Sequence, residues 1–156
     1  MKSVQYFCDL PYSKPTFSFT YYETTVLDKS TFPNFITEEL LLDEDSVITI
    51  ETVKNYTYHS WKTYDVDLTV SYGTRNNKHV VSITKQINLG KKDSIILMND
   101  LFNCARSNIS RVNTELREQV RQDISTIFGV NEFNYIFSTD SDTIVDEHAV
   151  VCLVDT

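Results

Sequence analysis

The sequence predicts a single α+β domain over residues 1–156. We expect an antiparallel sheet of six to seven strands, one long amphipathic helix (about 94–128) and a C-terminal β-hairpin after it. Two observations predict this class: apolar and polar residues alternate before Gly90, whereas apolar residues recur at steps of three and four after it. A chain of 156 residues, 41% of them hydrophobic, is long enough to bury one core.

The middle of the chain is predicted to form a three-strand meander. Apolar and polar residues alternate from Lys62 to Tyr72, and the polar run from Gly73 to Lys78 predicts a hairpin loop into a strand from His79 to Leu89. A short β-branched segment, Ser46 to Val53, precedes these strands. Residues 54–60 are predicted to turn it back onto the central strand.

The N-terminal segments predict further strands. Thr16 to Leu27 alternates in the same way, and Val4 to Cys8 is predicted to be a short first strand. The interval from Ser30 to Asp45 fits either one capped helical turn or a strand. A short helix is the preferred interpretation of that interval.

A long amphipathic helix is predicted after Gly90. Apolar residues continue from Met98 to Phe128 at helical spacing, and Gly129 is a natural end because glycine adopts the left-handed conformation without steric cost. The charged residues between these apolar positions predict a solvent-facing side, with members Arg106, Arg111, Arg117, Glu118, Arg121 and Asp123. A bend near residues 107–110, which would give two shorter helices, remains an alternative.

The end of the chain predicts a closing hairpin. Residues 131–138 alternate around three aromatic side chains, and His148 to Val154 is an apolar strand. The connection between them, residues 139–147, is polar and acidic.

No catalytic residue and no cofactor is predicted. A two-histidine phosphoesterase needs a hydroxyl side chain two positions after each histidine, and His59, His79 and His148 all lack one. The chain has three glycines and no phosphate-loop, nucleophile-elbow or zinc-protease motif. Nucleotide-dependent chemistry is therefore disfavoured.

No metal site or disulfide framework is predicted either. The cysteines are Cys8, Cys104 and Cys152, which are odd in number and far apart, so we expect three small buried apolar residues. The acidic clusters lack the glycine turn and the terminal glutamate of a calcium loop.

Charge is segregated along the chain, whose net charge is −8. Residues 85–121 hold seven of the 14 basic residues against four acidic ones. Residues 122–156 contain seven acidic residues and no Lys or Arg, and residues 30–53 contain six and none. Such segregation fits a solubilising surface, contact between copies of the chain, or capture of a basic partner.

The primary hypothesis is a non-enzymatic protein-protein interaction module that presents acidic loops to a basic protein surface, such as that of a nucleic-acid-binding protein. Direct nucleic-acid binding is disfavoured because its affinity comes mainly from Lys and Arg. The candidate partner-binding residues are Asp43, Glu44, Asp45, Asp140, Asp142, Asp146 and Glu147.

Two alternatives come from other functional classes: a structural subunit that forms a homo-oligomer through its strand edges and long helix, and an enzyme of unassigned chemistry. The Gly-poor composition, rich in Asn, Tyr, Ser and Thr, is typical of small accessory proteins of phages or other viruses, although no motif assigns a family. No apolar run is long enough to cross a membrane, so we expect a cytoplasmic protein.

Overall fold

Four strands and two helices make up the part of the chain that the computed structural model describes, which is residues 17–23, 49–75, 78–87 and 89–133. Their arrangement is α+β. In chain order the elements are β1 (Phe17–Glu23), β2 (Thr49–His59), β3 (Asp65–Arg75), β4 (Lys78–Lys85), α1 (Lys91–Phe102) and α2 (Arg111–Phe128).

The four strands form one sheet in the order β1-β4-β3-β2. The predicted meander is present, because β2 pairs antiparallel with β3 and β3 with β4. β1 joins the other side of β4 in parallel, with Phe17 opposite His79. The turn predicted at residues 54–60 is wrong: β2 continues through them to His59, and the chain reverses at residues 60–64.

The core lies between one face of this sheet and the two helices. The alternation in β3 places Val66, Leu68, Val70 and Tyr72 on the buried face, where each is fully buried. Their neighbours from β4 and the helices complete the core: Val81, Ile83, Leu97, Leu101, Phe102, Leu116, Val120 and Ile124. Burying each such side chain contributes roughly 1.5–3 kcal/mol, so this interface is the main source of stability among the described elements.

The predicted single helix over about 94–128 is wrong, because two helices occupy this region. α1 ends at Phe102, and residues 103–110 are not helical. Ser110 starts α2 by accepting a hydrogen bond from the backbone N–H of Asn113, and this cap favours a new helix over continuation of the first. α2 ends at Gly129, which is left-handed as predicted, with φ 70°.

The predicted sheet of six to seven strands with a hairpin after the helix is also wrong for the part of the chain that is described. The sheet there has four strands, and residues 131–133 continue from α2 without forming a strand. Alternating aromatic residues fit a loop that packs on the core as well as a strand, and Phe133 contacts the core from such a loop. The predicted strand 4–8, the predicted helix within 30–45 and residues 134–156 lie outside the described residues.

Gly73 in β3 lets β2 approach closely. A Cβ atom at this position would overlap the backbone carbonyl oxygen of Thr49. The β2–β3 register shifts between Ile50 and Thr52, next to the pairing of Ile50 with Gly73. The glycine therefore accommodates an irregular start of β2.

The loop between the helices is held by one side chain from α2. The Arg117 guanidinium donates from Nε to the backbone carbonyl of Asp100, and its terminal nitrogens donate to the carbonyls of Asn103, at 3.2 Å, and Arg106, at 3.3 Å. The bond to Asp100 satisfies a carbonyl that the end of α1 leaves without a helical partner, and the bonds to Asn103 and Arg106 hold the loop that follows. Neither α1 nor α2 is long and apolar enough to cross a membrane.

Candidate functional site

A buried ion pair links the end of β4 to the first turn of α1. Lys85 Nζ donates to Asp93 Oδ2 at 2.8 Å, and both side chains are fully buried. The Tyr58 hydroxyl donates to Asp93 Oδ1 at 3.2 Å. The Asp93 carboxylate thus has partners for both of its oxygens, as a buried charge requires.

A second carboxylate, Asp123 on α2, binds three side chains of the sheet. Its Oδ1 pairs with the Lys54 ammonium, and its Oδ2 accepts from the hydroxyls of Tyr56 and, at 3.0 Å, Tyr72. Burial raises the pKa of both tyrosines well above the ordinary value, and the negative charge of Asp123 raises it further. Both tyrosines are therefore neutral hydrogen-bond donors at ordinary pH.

A third carboxylate, Asp100 on α1, pairs with Arg106 and accepts from Asn113 Nδ2 at 3.2 Å. The Asn113 amide also bonds the end of β2, since its Oδ1 accepts from the backbone N–H of His59 at 2.9 Å and its Nδ2 donates to the carbonyl of His59 at 2.8 Å. The Asn113 side-chain amide thus makes the two hydrogen bonds to His59 that a neighbouring strand would otherwise make.

His79 on β4 packs against an aromatic side chain of α2. His79 stacks on Phe128 with ring centroids 4.3 Å apart. Burial lowers the pKa of His79, an effect that Glu51 partly offsets. The stacked imidazole contributes to packing at the edge of the core, where burial disfavours its charged form.

These clusters stabilise the packing of helices on sheet. The solvent-facing side predicted for the helices is wrong at Asp123, which is only 7% exposed because it faces the tyrosines of the sheet. Sequence reasoning missed this role, although the alternation of Lys54, Tyr56 and Tyr58 on one strand face was a usable signal. Within the described ranges, no cluster of three or more His, Cys, Asp or Glu residues suits a metal ion.

All seven candidate partner-binding residues lie outside the described residues, so their positions stay untested. Cys104 was predicted to be buried, and this is wrong: it is exposed in the loop after α1, where Arg121 Nη1 lies 3.1 Å from its sulfur. Arg121 also donates to the carbonyl of Asn131 at 3.1 Å. Both contacts tie the loops at the ends of the helices together.

An acidic groove of about 530 Å³ lies between the sheet and α2. Asp67 and Glu115 are the charged residues among those that line it. Arg111 pairs with Glu115 at 3.3 Å on the exposed surface of α2, where such pairs are weak. The remaining lining residues are Asn55, Tyr56, Thr57, Thr69, Val112, Leu116 and Gln119.

The turn between β2 and β3 carries an exposed apolar and basic surface, which we call the Trp61 patch. We define it as Trp61, Lys62, Tyr64, Lys92 and Ile95. Trp61 is 46% exposed, Tyr64 60% and Ile95 48%. Lys92 Nζ lies 4.6 Å from the Trp61 ring centroid and Lys62 Nζ 5.6 Å from it, so α1 and the turn meet here. The sequence signal was a tryptophan beside a lysine, between the turn predicted at residues 54–60 and the strand predicted from Lys62.

No protein-family model matches this chain, and neither does any curated protein or solved structure. Its function is therefore inferred from its own residues.

Proposed function

We propose that the protein is a non-enzymatic interaction module that presents acidic segments to a basic protein surface in the cytoplasm. The partner chemistry is a surface rich in Lys and Arg, such as the binding face of a nucleic-acid-binding protein. An inhibitor made by a phage or another virus fits this chemistry. The residues proposed to contact the partner are Asp43, Glu44, Asp45, Asp140, Asp142, Asp146 and Glu147.

The observation that supports this proposal concerns the basic residues of the segment 85–121. Most of them already pair with other groups within the described residues. Residues 85–121 hold half of the basic residues of the chain. Five of them have partners there: Lys85 with Asp93, Arg106 with Asp100, Arg111 with Glu115, Arg117 with backbone carbonyls, and Arg121 with Asn131. The two acidic segments, 43–45 and 140–147, therefore have few cations left in this block to neutralise them.

The test compares the lysate proteins that bind to the immobilised wild type with those that bind to a variant whose charges are reversed in the segment 140–147. We expect the triple variant Asp140→Lys, Asp142→Lys, Asp146→Lys to lose the proteins that the wild type retains from a lysate, and those proteins to be basic. Raising the salt concentration should weaken capture, since charges are screened over about 8 Å at physiological ionic strength. Captured proteins are identified by mass spectrometry.

A matched control separates a specific segment from net charge. The variant Glu51→Lys, Glu118→Lys, Glu132→Lys changes the charge by the same amount at exposed positions elsewhere. It should retain capture. Equal loss of captured proteins in both variants would show that net charge alone explains the capture. Capture that the first variant retains would contradict the assignment of residues 140–147.

A second candidate, a subunit that forms a homo-oligomer, is favoured by one observation, the Trp61 patch. An exposed tryptophan flanked by lysines is typical of a protein contact, since Trp and Tyr dominate binding energy at interfaces.

A further inference from the structure

The Trp61 patch is held in a fixed conformation by the turn that presents it. Ser60 organises this turn: its backbone N–H donates to the carbonyl of Tyr64 at 2.8 Å, and its carbonyl accepts from the N–H of Thr63 at 3.0 Å. The Ser60 hydroxyl accepts from the N–H of Tyr64 at 3.3 Å. Because the backbone is already ordered, a partner that covers the patch would lose little conformational entropy on binding.

The charge of the patch is opposite to that of the protein as a whole. Lys62 and Lys92 are exposed, and both lie over the only tryptophan in the chain. A complementary ligand therefore combines carboxylates with apolar side chains. With a net charge of −8, the chain itself is rich in carboxylates.

One segment of the chain has this combination. Residues 40–45 consist of three leucines followed by Asp43, Glu44 and Asp45. The leucines suit the apolar surface of Trp61 and Ile95, and the three carboxylates suit the lysines beside it. We propose that this segment of one copy binds the Trp61 patch of a second copy.

The acidic end of the segment precedes β2 at the strand end opposite the patch. The patch lies at the C-terminal end of β2, whereas Asp43, Glu44 and Asp45 precede Thr49, at the N-terminal end, by four to six residues. β2 has 11 residues and spans about 33 Å. A fully extended chain from Asp43 to Thr49 spans at most about 21 Å. Contact within one molecule would need a fully extended connection and extended side chains, so contact between molecules is favoured.

The two surfaces differ, so a pair joined by one contact still has one free patch and one free segment. The assembly is a reciprocal pair, a larger ring or a chain in which copies are joined head to tail. Residues 43–45 belong to both proposals, so self-assembly and the basic partner compete for them, whereas residues 140–147 stay free for the basic partner. The assembly does not depend on that partner.

The test measures self-association of the purified protein over a range of concentrations by sedimentation velocity. We expect the mean mass to rise with concentration. The emission of Trp61 should shift to shorter wavelength over the same range, because association buries the only tryptophan of the chain. A monomer at every concentration, or an unchanged emission spectrum during association, would overturn the proposal.

Charge reversal identifies the surfaces. Lys92→Glu should weaken self-association at least tenfold, whereas Arg111→Glu, the same charge change at a residue with a 92% exposed side chain on α2, should leave it unchanged. The triple variant Asp43→Lys, Glu44→Lys, Asp45→Lys should not associate when it is the only protein in the sample. Equal effects of Lys92→Glu and Arg111→Glu would contradict the patch.

Mixing two variants gives the sharpest result. The double variant Lys62→Glu, Lys92→Glu and the triple variant at residues 43–45 should each be monomeric. Their mixture should associate, because the double variant keeps the acidic segment and the triple variant keeps the basic patch. A mixture that stays monomeric would refute the pairing of these two surfaces. All samples contain this protein alone, so failure here leaves the proposed capture of a basic partner standing.

Discussion

Lys85 and Asp93 form an ion pair with no solvent exposure, in which Nζ and Oδ2 are 2.8 Å apart. The pair joins the last residue of β4 to the first turn of α1. The position of the carboxylate also suits the positive end of the helix dipole. This contact fixes where the first helix begins to cross the sheet.

Replacing Lys85 with Met should destabilise the protein by about 3–5 kcal/mol, because it leaves a buried carboxylate without its cation. The double variant Lys85→Met, Asp93→Leu should be more stable than the single variant. Urea denaturation followed by circular dichroism measures both. A double variant no more stable than Lys85→Met would show that the two residues do not act as a pair. The control Arg111→Ala, which breaks an exposed pair, should cost much less.

Stability at alkaline pH should depend on Tyr56 and Tyr72. Their pKa values are raised in the folded protein by burial and by Asp123, so their contribution is complete below pH 10 and is lost as the pH rises above that value, where unfolded tyrosines ionise. The double variant Tyr56→Phe, Tyr72→Phe should lose less free energy of unfolding between pH 9 and about 11 than the wild type does. The free energy of unfolding of both proteins is measured by urea denaturation at each pH. An equal decrease in the wild type and the double variant would contradict this role of the two tyrosines.

Asn113 should control the end of β2. Asn113→Ala removes both hydrogen bonds to the backbone of His59, and we expect a loss of about 1–3 kcal/mol. Hydrogen exchange at the His59 amide should accelerate by more than the loss in global stability explains. The control Gln119→Ala lies on an exposed part of the same helix and should change neither quantity. Unchanged exchange at His59 would show that Asn113 does not protect this strand end.

Gly73→Ala should destabilise the start of β2. The added methyl group overlaps the carbonyl oxygen of Thr49, so the strand must move, at a cost of about 1–3 kcal/mol. Thermal unfolding measures this loss. The comparison variant is Thr69→Ala, on the same strand but half-exposed, which should cost less. Equal melting temperatures of wild type and Gly73→Ala would mean that β2 tolerates the shift.

Local patterns predicted the parts of the fold that local forces decide. The alternation in β3 gives its buried face from Val66 to Tyr72, and Gly129 ends α2 because its conformation is a property of that residue. The division of the helix was only an alternative in the sequence, since the apolar spacing continues across residues 103–110. The overlooked signal was Ser110 itself, because serine is one of the residues preferred at helix N-caps.

Other features depend on contacts between distant parts of the chain. The parallel pairing of β1 with β4 joins residues about 60 positions apart, which no local periodicity reveals. Asp123 is polar and lies on a helix, so its sequence context predicts exposure. Its burial is favourable because Lys54, Tyr56 and Tyr72 of the sheet bind its carboxylate. The Trp61 patch is likewise formed when α1 brings Lys92 to the turn.

The Arg117 contacts have a consequence for how the protein can vary. Its guanidinium holds the loop through main-chain oxygens, which every amino acid supplies, and not through particular side chains. The exposed side chains of Ala105, Ser107 and Asn108 can therefore diverge while the loop keeps its shape. These positions are natural places to attach a label, provided that Arg117 and the Arg106–Asp100 pair are kept.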